Sequence, residues 1–360
     1  MKKTLLLIGA FAVSLTSSGQ VLQQETFDNL TLGNVGTAFD GSTAGQASFL
    51  TFASNGAATS TTTTTTNAGN SNFVIASAAG AANQTVDITG PNGNEGGRFL
   101  WQAGLDTSWT ARTAGNDVID IEYTFNTGPV TTSRTRVGMT LYDTAFNPIV
   151  GYFYSTDTGI LTGQARLNNG GSIGNFNINF ATGGLSLMAN TTYSLGMSYN
   201  VVTGEVLWKL DPTAGNISVN SAVYLSGLVP TELNFVVTAA PFSATATPPT
   251  TPNALAATRS FFDFKAEAVV TSDLLTTSEE LLNDVSVRVY PNPTTDILNI
   301  TSDTQQFTAV DIVDLNGRLI KSLEVDANNV TTNVQELKPG LYILNISNKE
   351  GTVSRKFIKE

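Results

Sequence analysis

The chain has 360 residues, 41% of them hydrophobic, a formal net charge of −11, and neither histidine nor cysteine. That length suits two domains with sizeable cores and no disulfide staples. The missing imidazoles and thiols exclude a Ser-His-Asp triad, a Cys nucleophile and a His/Cys zinc centre, and an acidic surface speaks against nucleic acid or an anionic membrane as partner.

The chain opens MKKTLLLIGAFAVSLTSSG. Lys2 and Lys3 precede an apolar stretch from Leu5 to Leu15, and Ser17 and Gly19 are the small residues a cleavage site needs. The stretch is shorter than the ~20 residues of a membrane span. Residues 1–19 are therefore expected to be a signal peptide read by the Sec machinery, with no membrane insertion afterwards.

From Gln20 to Ala268 apolar residues alternate with polar ones between Gly, Asn, Asp and Thr clusters. Residues 118–125 (VIDIEYTF), 137–142 (VGMTLY), 149–154 (IVGYFY), 193–199 (YSLGMSY), 206–210 (VLWKL) and 233–237 (LNFVV) predict half-buried strands. No ten-residue window carries a capped stripe of helical period. Many short strands with turn signals between them predict an all-β sandwich of jelly-roll type over 20–268, its first strand near QETFDN pairing with its last near RSFFDFKAE. This strand grammar loosely resembles the concanavalin A/laminin-G-like sandwiches, whose members bind glycans, hydrolyse them or mediate adhesion. Residues 56–72, with six consecutive threonines, and 244–253, rich in proline, read as loops. Residues 269–284 read as a linker.

Three chemistries are open to this body. Glycan binding needs an exposed ring beside polar groups, because pyranose C–H faces stack on aromatics while hydroxyls seek amides and carboxylates. Trp109, flanked by Asp106 and Arg112 in GLDTSWTART, is the candidate plate; Trp208, in phase with Val206 and Leu210, and Trp101 read as core. Carboxylate hydrolysis needs two facing acids. Asp120 and Glu122 share a strand face, but Val118 stands where the laminarinase-type Glu-x-Asp-x-Glu pattern has its first Glu. The expectation is therefore a non-catalytic glycan-binding or adhesive module, with a glycosidase or lyase and a structural matrix component as alternatives. A structural calcium ion is a further candidate, held by Glu25, Asp28 and Asp263 on the terminal strands, or by Glu95 in the GPNGNEGGR loop.

After the linker, VSVRVYPNP ends a strand: Pro291 and Pro293 cannot donate to a ladder and rigidify the corner. DILNI, AVDIVD, LIKSLEV and KPGLYILNIS follow, with Asn316-Gly317 predicting a type I′ hairpin and Pro339-Gly340 a tight turn. This predicts a small Ig-like sandwich of about seven short strands over 285–360. VYPNPTTDILNI, IVDLNGRLIKS, KPGLYIL and the terminal KFIK together resemble the type A C-terminal sorting domain of the type IX secretion system of Bacteroidetes-type bacteria. The resemblance implies recognition by that machinery and release at the cell surface or into the medium. It also implies recognition roles for Pro291, Asn292, Pro293, Gly317, Gly340, Tyr342, Lys356 and Lys359.

Overall fold

The computed structural model of the chain describes residues 19–57, 63–77, 83–210, 216–246, 249–275, 288–302, 306–313, 318–347 and 352–360. The signal peptide up to Ser18, the linker from Thr276 onward, Gly317 and the side chain of Lys356 lie outside the described residues. Contacts divide the chain into two compact units, one up to Leu275 and one from Thr276.

In chain order the first unit contains β1 (Gln20–Glu25), β2 (Gly33–Asn34), β3 (Phe49–Ser54), β4 (Phe73–Ser77), β5 (Gln84–Thr89), β6 (Gly97–Gln102), the short helix α1 (Leu105–Thr110), β7 (Val118–Asn126), β8 (Thr135–Tyr142) and β9 (Pro148–Ser155). It continues with β10 (Ile160–Asn169), β11 (Ser172–Asn179), β12 (Leu185–Ser186), β13 (Thr192–Asn200), β14 (Val206–Leu210), β15 (Ile217–Ser218), β16 (Glu232–Ala239) and β17 (Thr258–Val269). One sheet runs β15-β14-β13-β7-β17-β5-β4-β2 with β1 added on β17; the other runs β11-β10-β9-β8-β16-β6-β3 with β12 on β10. Neighbours in sequence repeatedly fall in different sheets, so the chain crosses between the layers of a β-sandwich.

Strict alternation explains the layers. On β7, Ile119, Ile121, Tyr123 and Phe125 enter the core, and on β16 Leu233, Phe235 and Val237 meet them from the other sheet. Phe235 lies 4.8 Å edge-on from Phe261 and 5.4 Å from Phe264. Full burial of such a ring stabilises the fold by roughly 2–3 kcal/mol. Trp208 is fully buried and its indole N–H donates to the Gly151 carbonyl at 2.9 Å. Gly163 makes room for it, since a Cβ there would sit 2.9 Å from the Trp208 ring. The terminal strands pair antiparallel, Gln24 against Lys265 and Glu25 against Phe264.

Two details depart from the sequence reading. Residues 105–110 form a helix, too short for a ten-residue window, whose Leu105 and Trp109 (i, i+4) are both buried. Trp101 is half-buried on the outer face of β6, not in the core. On this strand Phe99 and Trp101 share one phase and Arg98, Leu100 and Gln102 the other, and the phase that faces inward is that of Leu100, so the larger rings do not mark the core side.

The second unit comprises β18 (Arg288–Tyr290), β19 (Ile297–Thr301), β20 (Phe307–Val313), β21 (Leu319–Ala327), β22 (Asn329–Asn333), β23 (Gly340–Ser347) and β24 (Thr352–Lys359). They form sheets β18-β19-β22 and β21-β20-β23-β24 around Leu298, Ile300, Val310, Ile312, Leu344 and Phe357.

Candidate functional site

Trp109 is only 2% exposed and belongs to the main core cluster. The Arg112 guanidinium covers its remaining face, 4.0 Å from the ring centroid. Arg112 is itself committed, donating to the Trp109 and Asn116 carbonyls and pairing with Asp117 at 2.8 Å, while Asp106 stays exposed at the helix start. The expected sugar plate is thus corrected to a plug that closes the sandwich end. Its polar sequence neighbours are the outer turn of a helix whose other side is buried.

The calcium set does not converge. Glu25 Oε1 accepts from the N–H groups of Thr26 and Phe27 (3.0 and 3.1 Å), and Asp28 Oδ1 accepts from Gln84 N–H at 2.8 Å. Asp263 sits at a bulge in β17, its carboxyl pushed above the usual range by burial, with Thr124 hydrogen bonds opposing and Asp28 adding to the shift. Among the described residues no three acidic side chains come together as a metal site. Glu95 likewise stands apart from any such group.

The outer face of the second sheet gathers what the sequence left scattered. Register places Gly151, Thr140, Asn234 and Trp101 in one row across β9, β8, β16 and β6. Gly138, Val236, Phe99 and Phe52 form the next. Above them the turn from β8 to β9 carries Phe146 at φ 59, a left-handed conformation that a bulky residue adopts only at a cost of roughly 1–2 kcal/mol. Asp143 holds that turn: Oδ1 accepts from the N–H groups of Ala145 (2.9 Å) and Asn147 (2.8 Å). The Phe146 ring lies flat on Tyr142, centroids 4.2 Å apart and 4° from parallel, and 5.9 Å from Phe99, which is 6.2 Å from Phe52. Phe146 remains 52% exposed and Phe52 39%. Four rings therefore form a continuous apolar step on the surface.

Polar groups underlie that step. Thr140 and Asn234 are fully buried, and Asn234 Nδ2 donates to Glu232 at 2.7 Å. Asn234 Oδ1 meets no donor. Burial pushes the Tyr142 phenol up to about 12, with the Glu232 charge adding to the shift. Thr140 Oγ1 lies close enough to oppose it but meets no partner at hydrogen-bond geometry. The sequence signal for this face was a second apolar phase, Phe99 and Trp101 in RFLW and Phe153 in IVGYFY, beside the inward-facing Leu100, Tyr152 and Tyr154.

Asp120 and Glu122 do share the outer face of β7, on the opposite side of the sandwich. Their carboxylates accept the backbone N–H groups of Asp273 (2.9 Å) and Leu275, so this chain itself occupies them.

In the second unit, Asn292 Oδ1 accepts from Ile358 N–H at 2.9 Å, and Thr294 exchanges main-chain bonds with Ile358 and Glu360. Pro291, Asn292 and Pro293 thus form a corner that clasps the last strand. Both X-Pro bonds there are cis. Tyr342 stacks on Phe357 at 5.6 Å and donates to the Lys338 carbonyl, while Gly340 begins β23 opposite Lys359. Lys359 is 7% exposed, its amine donating to the Glu360 carbonyl. The backbone of Lys356 pairs with Ile343.

Residues 288–360 match the secretion system C-terminal sorting domain family. The second unit is such a domain, and the chain is cargo of the type IX machinery of Bacteroidetes, destined for the cell surface or medium. No match was found among curated protein sequences. Solved structures similar to the chain include the binding domain of botulinum neurotoxin DC in complex with SialylT (TM-score 0.33, 10% identity, 75% of this chain). The chain spans 64% of the length of that domain. Two alginate lyases are also similar. One, in complex with an alginate tetrasaccharide, has TM-score 0.37 and 11% identity over 68% of this chain and 96% of the lyase. The other, a member of polysaccharide lyase family 7, has TM-score 0.38 and 11% identity over 55% and 84%.

Proposed function

We propose that the body is a non-catalytic glycan-binding module, exported under the direction of its sorting domain, that binds through the aromatic step around Phe146. One observation carries this reading: a strained turn holds an exposed ring flat against Tyr142, in line with Phe99 and Phe52. Strain maintained by a network of specific hydrogen bonds marks positions where geometry matters more than stability. Such a step matches the C–H face of a pyranose, and Glu232 at its edge offers an acceptor for sugar hydroxyls. The main-chain N–H groups on Asp120 and Glu122 support the non-catalytic part, since the chain's own backbone engages both acids.

The test is a glycan array on the exported chain from Gln20, run with calcium and with a chelator. Binding is expected in both conditions and is expected to weaken by up to about tenfold in Phe146→Ala, the worth of one aromatic stacking contact. A hit indifferent to both Phe146→Ala and Phe52→Ala would move the site off this face. An empty array would sink the glycan reading itself.

A further inference from the structure

The face of the first sheet that Asp120 and Glu122 share is covered by a segment of the chain that belongs to neither sheet. β17 ends at Val269, and residues 271–275 turn back across the outer face. Register aligns two rows beneath them: Lys265, Glu122, Gly196 and Lys209, and beside it Glu267, Asp120 and Ser198. The segment docks on these rows through its backbone. Asp273 N–H donates to Asp120 Oδ2 at 2.9 Å, Leu275 N–H donates to Glu122 Oε1, and Lys209 reaches the Leu275 carbonyl at 3.5 Å. Between the two donors, Leu274 is 1% exposed and fills the notch left by Gly196, where a Cβ would come within 3.1 Å of the leucine Cβ. Leu275 itself takes a left-handed conformation at φ 45.

Two carboxylates at i, i+2 on one strand take two N–H groups at i, i+2 on a segment that turns at Leu274 and Leu275, with one apolar side chain keyed between them. This grammar does not require that the segment stay in place. We propose that the outer face of the first sheet carries a peptide-binding trough, and that residues 271–275 are its resident and releasable strap, held more tightly at acidic than at alkaline pH.

The charges explain the direction. Facing the strap are Asp120 and Glu122 of β7, Lys265 and Glu267 of β17 (paired at 2.7 Å) and Lys209 of β14, while the strap adds Asp273. Four carboxylates share the trough with two ammonium groups. Burial pushes Asp120 up to about 7, against the pull of the Asp273 N–H, with the charges of Asp273 and Glu122 adding to the rise. Burial also raises Glu122, opposed by the Leu275 N–H and Lys265. The strapped form therefore holds protons that an open, hydrated form releases, so raising the pH through neutrality favours opening. Asp120 Oδ1 and the Ser272 hydroxyl are both buried without a partner of good geometry, although the hydroxyl comes close enough to oppose the rise at Asp120.

Hydrogen exchange on the full exported chain, read on peptides spanning 270–275 at pH 6 and pH 8, tests this. The amides of Asp273 and Leu275 are expected to be protected about a hundredfold at pH 6, less at pH 8, and at both pH values less than the amides of β7. In Leu274→Asp the protection should vanish, and a labelled synthetic peptide VVTSDLLTT should then bind at least about tenfold more tightly than to the unmodified chain, whose trough is filled. Leu274→Ala, which introduces no charge, serves if the aspartate variant fails to fold. Unprotected amides in the unmodified chain would overturn the strap. Protection equal to that of β7 would overturn its release, and protection that grows with pH would overturn the charge argument. A folded open variant that takes up no peptide would overturn the trough.

Discussion

The two outer faces of the sandwich start from the same alternating strands and end in opposite chemistry. On the first sheet, the residues opposite the core are Asp120, Glu122, Lys265 and Glu267, and a stretch of the chain's own backbone lies over them. On the second sheet, the same positions hold Phe52, Phe99, Tyr142 and Val236, and the ring of Phe146, from one turn, lies against them. A charged face finds partners in backbone N–H groups and so draws the chain onto itself. An aromatic face has no such claim on the main chain and stays partly exposed, which is what an external ligand requires.

Removing a ring from between the faces, as opposed to from their outside, should have the largest effect. Trp208→Ala deletes a fully buried ring and leaves the Gly151 carbonyl without its donor. A loss of about 3–5 kcal/mol is expected for such a truncation, enough to unfold much of a marginal domain. Urea denaturation with circular dichroism would measure it. A loss below about 1 kcal/mol would mean that the core of this body does not depend on its largest ring.

The acidic face is sharpened by pH. Asp120 has an ordinary value of 3.8 and is raised to about 7 in the folded chain, mainly by burial. Its contribution to stability is therefore fully present below about pH 4 and lost as the pH rises through 7. At about 1.4 kcal/mol per unit, the difference is on the order of 4 kcal/mol. Asp120→Asn keeps an acceptor for the Asp273 N–H and removes the titration. Relative to the unmodified chain it should gain stability steadily between pH 4 and pH 8, and the two should converge at the acid end. All three tryptophans, at 101, 109 and 208, lie in the body, so their emission reports its unfolding alone. A difference between the two chains that does not change with pH would show that Asp120 is ionised in the folded body throughout.

How much of this was legible depended on the distance between partners in sequence. The tail could be read because its signals are local: PNP ends a strand within three residues, and KPGLY starts one. β14 spans the predicted Val206–Leu210, and the predicted pairing of the two terminal strands of the body is present. Trp109 was misjudged because six residues of helix bury one side of a segment that looks uniformly polar when read as a loop. The two faces were out of reach for a different reason. Asp273 lies 153 residues from Asp120, and Phe146 meets Phe99 only because β8, β16 and β6 are neighbours in the sheet. Alternation says that Asp120 and Glu122 point the same way. Which segment comes to rest on them is decided by cross-strand register, which a single sequence does not display.

The smallest expected change in stability carries the most weight for function. Phe146→Ala removes an exposed ring from a left-handed turn, and alanine relieves none of the backbone strain at φ 59. The cost is the Tyr142 stacking and part of a ring's burial, about 1 kcal/mol or less. Phe146→Gly adopts that φ freely, so it should recover some of this loss without restoring the ring. If the face serves a ligand, both variants should weaken glycan binding equally while differing in stability, with glycine the more stable. If the ring serves only the fold, binding should follow stability, and Phe146→Gly should bind better than Phe146→Ala. The pair of variants thus separates what the turn does for the sandwich from what it presents to the outside.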